Sequence, residues 1–404
     1  MGTMASSTHQ FGVLDLIRAG LQDLDTARTL LDELRADGID DDRLCLLMKT
    51  LEQTCEPDIA LRNLVDIIKA LQSQGRDFHQ VITDDAGLVR LVTVLGVSDE
   101  MGKLMRFRPE LVMAAASDSC ESHLYNHAQR RAHVLEAVGA DPADNRMPKA
   151  TKPLAEAATA LRQTYRKQLA AIMAQDATAD DPIEIQPRIS QELSDLADAA
   201  LEGALAIARD EVDGSEHVRF AIIGMGKLGA RELNYVSDVD LIYVVEPADK
   251  DTNGMTLNRV GTKMATTLQR VCQSVIMGVA EPTLWQIDGG LRPEGKDGPL
   301  VRKLESHEAY YEQWAENWEF QALLKARPVA GDPDLGQAYM DMTRPFVWTA
   351  SKRDNFVYDC QQMRKRVEDL IPAPLKDREI KLGRGGLRDV EFTVQMLQLV
   401  LGRA

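Results

Sequence analysis

The sequence predicts a mainly α protein in which helical regions stand on either side of a small mixed α/β core. Apolar residues recur at three- and four-residue spacing from Val13 to about Ala140, as in Leu14-Asp-Leu-Ile-Arg-Ala-Gly-Leu21 and in Ile59 to Leu71, which is the period of helices packed along one face. Short apolar runs at Val218–Ile223 and Leu241–Val245 are bounded by turn residues and read as buried strands. After Glu305 the helical period returns.

In chain order, residues 1–175 form an N-terminal helical region without a catalytic cluster, a layer for packing or partner contact, with Asp84–Ser98 read as packed short helices. Lys103 to Arg108 is a small basic patch, read as a solvated helix end. Pro142, Asn145, Pro148 and Pro153 mark one hinge and Asp176 to Pro182 a second, since prolines and small polar residues interrupt helices. Helices are expected at Leu161–Met173 and Ser190–Glu211. The core at 176–304 holds the two strands, an amphipathic helix at Thr256–Met277, a third strand at Thr283–Asp288 and a turn-rich loop to Pro299. In the C-terminal helical region, 305–404, Glu305–Arg327 reads as one long helix stopped by Pro328, with Trp314, Trp318 and Phe320 as a core stripe. Further helices follow through Cys360–Leu370 and Asp389–Leu401. Met4 reads as a native start behind Met1-Gly2-Thr3, and the end at Gly402-Arg403-Ala404 as a cut through something longer.

The 404 residues are 44% hydrophobic and carry a formal charge of -16. That charge argues against binding a nucleic-acid backbone, which needs a basic surface. The sequence has no apolar run long enough for a membrane span and no basic and apolar leader, so a cytoplasmic protein is expected. Cys45, Cys55, Cys120, Cys272 and Cys360 are scattered without metal-ligand spacing, the usage of unpaired, mostly packed thiols in a reducing compartment. His123 and His127 sit four apart but lack a third ligand, and a solvated helix face is expected there.

The chemistry concentrates between Ala221 and Val245. Gly224-Met225-Gly226-Lys227-Leu228-Gly229 is followed by Ser237-Asp238-Val239-Asp240 at the mouth of the second strand. Side chains alternate along a strand, so Asp238 and Asp240 point one way while Val239 points into the core. Like charges this close repel, and a divalent cation between them is the simplest remedy. The glycines let backbone approach a phosphate, with Lys227 as counter-charge. The turn also satisfies the dinucleotide G-x-G-x-x-G pattern, but fewer than about a dozen residues separate it from the acids, too few for the crossover helix that fold needs. No Walker loop is present. Asp288 ends the third strand and supplies a third carboxylate, its rival role being a turn cap. Three acids on neighbouring strands suit two divalent ions and an in-line displacement at phosphorus.

These motifs, with Glu232-Leu-Asn234, Leu291-Arg-Pro-Glu-Gly-Lys296, Tyr311 to Gly331 and Lys381-Leu-Gly-Arg-Gly-Gly-Leu-Arg-Asp-Val-Glu-Phe-Thr-Val-Gln395, resemble the bifunctional glutamine synthetase adenylyltransferase/adenylyl-removing family of the DNA polymerase beta-like nucleotidyltransferase superfamily. The resemblance runs from about Arg219 to the end, and the last block is similar to the N-terminal half, which removes AMP from glutamine synthetase. It implies a nucleotidyltransferase core with Asp238, Asp240 and Asp288 holding two Mg2+ or Mn2+ ions. It implies that Gly224, Gly226, Lys227, Gly229, Ser237, Arg292, Lys296, Arg384 and Arg388, with Lys325, handle phosphates, and that Glu391 orients the attacking phosphate or caps its helix. Adenylylated glutamine synthetase, inorganic phosphate and ADP are the implied partners, with glutamine and the PII signal protein as effectors and a C-terminal adenylyltransferase half that this sequence lacks. Rival readings are forward adenylylation with ATP and an idle module sensing glutamine or PII. One departure stands out: Gly290 occupies a position where relatives are expected to carry a basic residue.

Overall fold

A computed structural model of the chain describes residues 11–117, 126–250 and 252–402. Contacts divide the chain into two compact units, Met1–Asn126 with Gln163–Leu193, and His127–Arg162 with Ser194–Ala404. Most of 176–304 and all of 305–404 therefore share the second unit. Among the described residues no helix is long and apolar enough to cross a membrane.

The described part of the first unit is helical. Helices Leu24–Ala36, Asp41–Glu52 and Asp85–Val97 begin at Asp23, Asp40 and Asp84, whose carboxylates accept from backbone N–H groups of the first turn that have no partner within the helix. Their apolar faces bury Leu34, Leu51, Leu91 and Val94 in one core with Leu61 and Ile67 of helix Pro57–Ser73. Asp84–Ser98 is a single helix, not several short ones. Its Gly96 does not break it but admits a neighbour: a Cβ there would lie 1.7 Å from Thr54 Cγ2. The basic patch is ion-paired, Lys103 to Asp99 at 2.8 Å and Arg106 to Asp66 at 2.8 Å.

Among its described residues the second unit is built on a five-stranded mixed sheet of β1 (Val218–Gly224), β2 (Val239–Pro247), β3 (Ile287–Asp288), β4 (Val301–Arg302) and β5 (Arg327–Gly331). The order is β3-β2-β1-β5, with β4 also on β2. β1 is antiparallel to both β2 and β5, whereas β3 and β4 run parallel to β2. An antiparallel β1–β2 pair joined by a short connection is the opposite of a dinucleotide crossover. On one face, Leu257, Val260, Met264, Leu268 and Val271 of helix Gly254–Gln273 are buried. Gly261 of this helix comes so close to the sheet that a Cβ would meet Val245 Cγ1 at 3.0 Å. On the other face, Ala221, Ile223, Ile242 and Val244 pack with Tyr311, Phe320 and Tyr339.

The long helix expected at Glu305–Arg327 is two, Leu304–Gln313 and Asn317–Leu323, followed by β5. Glu316 and Glu319 form a capping box that restarts the helix. Of the aromatic stripe only Phe320 is buried; Trp314 is 74% exposed. Thr283–Asp288 is strand only at Ile287–Asp288. Cys272 and Cys360 are buried free thiols, but Cys55 is exposed.

Arg162, 1% exposed, closes the far end of the Gly254–Gln273 helix. Its guanidinium donates to the carbonyls of Val271 and Ser274 at 2.7 Å each, where the helix end leaves oxygens without an internal partner, and to that of Glu281 in the segment beyond at 2.9 Å. Arg162→Met leaves them buried and unpaired, and urea unfolding is expected to show a loss of about 3 kcal/mol or more.

Candidate active site

The sequence-predicted acids meet at one end of the sheet. Asp240 of β2 stands opposite Asp288 of β3 in the parallel register. Alternation puts Asp240 on the same face as Ile242 and Val244, and Asp238 immediately precedes β2. Val239 is fully buried, as expected. Burial first, then the charges of Asp238 and Asp288, push the Asp240 carboxyl up to about 6 against the opposing pull of Arg388 and Lys227. Asp288 also caps the following turn, its Oδ1 accepting from the Gly290 N–H at 2.7 Å, the rival role expected for it. Gly290 keeps that turn tight: a Cβ there would lie 3.0 Å from Asp288 Oδ1.

The glycine turn is tied to the same spot by the Met225 N–H, which donates to the Asp240 carbonyl at 2.8 Å. Its three glycines do different things. Gly226, at φ +54°, faces the acid, and a Cβ there would lie 2.4 Å from Asp240 Oδ2. Gly224 and Gly229 instead face protein: their Cβ atoms would meet Val329 Cγ1 at 2.7 Å and the Lys325 carbonyl oxygen at 1.9 Å. They serve close packing rather than opening backbone to a ligand. Ser237 Oγ donates to the Asp238 carbonyl at 2.8 Å.

The basic residues divide in the same way. Lys227 donates to Asn234 Oδ1 at 3.1 Å, and burial with Lys381 nearby lowers its pKa despite the attraction of Asp238 and Asp240. Arg388 lies beside Asp240 in a cavity of about 220 Å3 that Lys325 and Glu391 also line. Glu391 bridges them, Oε1 to Lys325 Nζ at 2.7 Å and Oε2 to Arg388 Nη1 at 2.7 Å. Burial alone would raise its pKa, but these two cations hold it below the ordinary value. With both oxygens engaged, Glu391 positions cations instead of presenting a free carboxylate. Arg292 does not reach into the cavity as a free cation: its guanidinium staples its own loop through the carbonyls of Gly289, Lys296 and Gly298 at 2.7, 3.0 and 3.2 Å. Lys296 is exposed, and Arg384, 88% exposed, pairs with Glu368 at 3.1 Å.

Sequence reasoning did not single out Lys381, Gln321, Gln395 or Trp318 as site residues. Lys381 is felt by Lys227, and the other three line the cavity. A spacing signal was present for Gln395, which follows Glu391 by four residues and so lies one turn along the same helix.

The donor set fits a hard divalent cation such as Mg2+ or Mn2+: carboxylate oxygens only, a buried carboxyl whose charge is disfavoured by its acidic neighbours, and space beside Asp240 that any Cβ at Gly226 would fill. A tighter trio lies elsewhere in this unit. His127, Asp195 and Asp198 bring ligand atoms within 4.8 Å of one another, but Arg327 holds Asp198 at 2.6 Å and Arg231 holds Asp195 at 3.5 Å, so those charges are already balanced. His127 thus faces Asp198, at 3.6 Å, and not solvent alone; His123 lies outside the described residues.

The profile of the family described as glutamate-ammonia ligase adenylyltransferase matches residues 88–342, and that described as GlnD PII-uridylyltransferase matches residues 361–403. The bifunctional glutamine synthetase adenylyltransferase/adenylyl-removing enzyme of Bifidobacterium longum (strain DJO10A) is 76% identical over 400 residues, 99% of this chain and 37% of that protein. The enzyme of the same name from strain NCC 2705 gives the same figures. That of Cutibacterium acnes is 44% identical over 391 residues, 96% of this chain and 39% of its own length. The chain therefore spans little more than a third of the relatives it matches. With the profile running unbroken from the first helical unit through both acid-bearing strands to the helix after β5, the chain belongs to the glutamate-ammonia ligase adenylyltransferase family.

Proposed function

We propose that this chain removes AMP from the adenylylated tyrosine of a glutamine synthetase, using inorganic phosphate and releasing ADP. The observation that carries the reading is the juxtaposition of Asp240 with Asp288 in register, with Asp238 just before the strand and Lys227, Lys381 and Arg388 within electrostatic reach. Acids that hold cations, with further cations around them, match what displacement at phosphorus needs, because charge on the phosphoryl oxygens must be neutralised while two oxygens are held in line. Asp238, Asp240 and Asp288 would hold Mg2+ or Mn2+, which when bound supplies Lewis-acid neutralisation of phosphoryl charge.

The chain's own residues do the rest. Arg388 and Lys325, fixed by Glu391, present positive charge beside Asp240, and Lys227 adds a lysine whose charge is less firmly held than usual. In the proposed reaction a phosphate oxygen bonds to the AMP phosphorus as the bond from phosphorus to the tyrosine oxygen breaks; the tyrosine oxygen takes the proton that phosphate brought. The direction rests on the resemblance of Lys381–Gln395 to the N-terminal half, and glutamine and the PII protein would then act as effectors of the longer polypeptide in the cytoplasm.

Incubation of the chain with Mg2+, phosphate and adenylylated glutamine synthetase is expected to yield ADP by chromatography. AMP as product would mean hydrolysis. Label transfer from ATP onto unmodified glutamine synthetase, without phosphate-dependent release, would mean the forward adenylylation that the relatives' names also carry.

A further inference from the structure

Exposed apolar side chains stand immediately beside the charged residues of the site. Val236, 91% exposed, comes two residues before Asp238. Ile380 precedes Lys381 and Leu387 precedes Arg388, at 79% and 66% exposure. Single exposed apolar residues are ordinary on a protein surface, but these sit on two separate segments and each adjoins a residue of the same charged centre.

Both segments are pinned. Leu233 is buried and its N–H donates to Ser194 Oγ at 3.3 Å, Asn234 accepts from Lys227, and Val239 is buried at the other end of the Val236 loop. The Leu387 N–H donates to the Ile380 carbonyl at 3.0 Å and the Arg388 N–H to that of Lys381 at 2.9 Å, which lays the loop against the first turn of helix Leu387–Leu401. Lys325 ties the two segments together, its Nζ donating to Glu232 at 2.8 Å and to Glu391 at 2.7 Å. Apolar groups held in place this way lose little freedom when a partner covers them.

From Leu387 the exposure continues down the helix through Val390, Val394 and Leu397, at 60%, 49% and 49%. The steps of three, four and three residues put all four on one face, while Gln395 and Leu399 are buried. At 1.5 Å per residue the stripe is about 15 Å long, the span of roughly four residues of extended chain.

We infer that Val236 and this helix stripe form the docking surface for the polypeptide that carries the adenylylated tyrosine. The identity of the occupant rests on the proposed reaction, in which the leaving oxygen belongs to a tyrosine within a protein, so the neighbours of that tyrosine must lie over whatever adjoins the site. Acids and cations suffice for phosphate and a metal ion; apolar surface continuous with them serves a protein. Charge also sets the direction. Lys381 and Arg388 stand at the Leu387 end of the stripe and attract the anionic phosphodiester, so the flanking residues run toward Leu397.

Surface plasmon resonance of the chain with unmodified glutamine synthetase, where no turnover intervenes, reads this surface directly. Val236→Ser, and Leu387→Gln combined with Val390→Gln, are each expected to weaken binding about tenfold, as for an interface residue of moderate weight, at an unchanged melting temperature because the positions are exposed. In steady state KM for adenylylated glutamine synthetase should rise by the same factor, with kcat and KM for phosphate unchanged. Binding and KM unaltered in both variants would overturn the docking surface and leave the reaction standing. Weakened binding in the variants, with no ADP formed by the original chain, would overturn the reaction and leave the surface standing. Self-association of the original chain that Leu387→Gln with Val390→Gln abolishes, without binding of glutamine synthetase, would assign the stripe to a second copy and overturn the inference.

Discussion

Asp240→Asn is expected to abolish turnover and, at neutral pH, to raise the melting temperature. The variant keeps the shape of the side chain but removes the charge that burial and the Asp238 and Asp288 carboxylates oppose. Because the folded-state value, about 6, lies above the ordinary 3.8, the folded protein binds the proton more tightly than the unfolded chain. Stability is therefore lost as pH rises from about 3.8 through 6 and stays lost above it. The full penalty is at most about 3 kcal/mol at 1.36 kcal/mol per pH unit. In a scan from pH 4 to 8 the two proteins should melt together at the acid end, the variant pulling ahead by a few degrees above pH 6. Added Mg2+ should raise the melting temperature of the original chain and scarcely that of the variant. Equal response of both to Mg2+ would remove Asp240 from the ligand set.

Two alanine substitutions in one turn are expected to fail in opposite ways. At Gly229 the new Cβ would lie 1.9 Å from the Lys325 carbonyl oxygen and 2.4 Å from that of Gly224, both backbone atoms that cannot swing aside. Gly229→Ala should be destabilised by several kcal/mol, on the scale of about 3 or more reached by severe steric and strain changes, and should accumulate as insoluble protein. At Gly226 the clash is with Asp240 Oδ2, at 2.4 Å, a side-chain atom that can move. The positive φ of +54° adds about 1 kcal/mol for a residue with a Cβ. Gly226→Ala should stay folded and lose activity together with the Mg2+ effect on melting. A soluble, active Gly226→Ala would show that the space beside Asp240 is not used.

The contrast shows what was legible in the sequence. Strand periodicity and the Asp-x-Asp spacing put Asp240 at the start of a buried strand, as β2 has it, because both are local consequences of side-chain alternation. The third acid, Asp288, was found through its position at a strand end, and the register of β2 with β3 brings it opposite Asp240. Spacing could not say which glycines face a ligand. Gly224 and Gly229 look like Gly226 in sequence, and only the tertiary approach of Val329 and Lys325 separates them. Arg292 is a similar case: a charged residue in a loop reads as a ligand contact until its own loop carbonyls absorb its donors. β5 went unread just past the end of an apparent helix because Arg327–Gly331 gains its strand character from β1, a partner far away in sequence.

That last pairing also bears on how the protein is made. β1 can join β2 as soon as both have left the ribosome, but its other edge pairs Ala221 with Gly331, synthesised on the order of a hundred residues later. At roughly 5–20 residues per second, a strand as apolar as Phe220-Ala-Ile-Ile223 waits on the order of ten seconds with unpaired N–H and C=O groups on show, an open invitation to intermolecular pairing. Nascent-chain handling in this protein is therefore most demanding in the interval between the emergence of the acids and that of β5, when the chemistry is already encoded and the sheet that holds it is still one strand short.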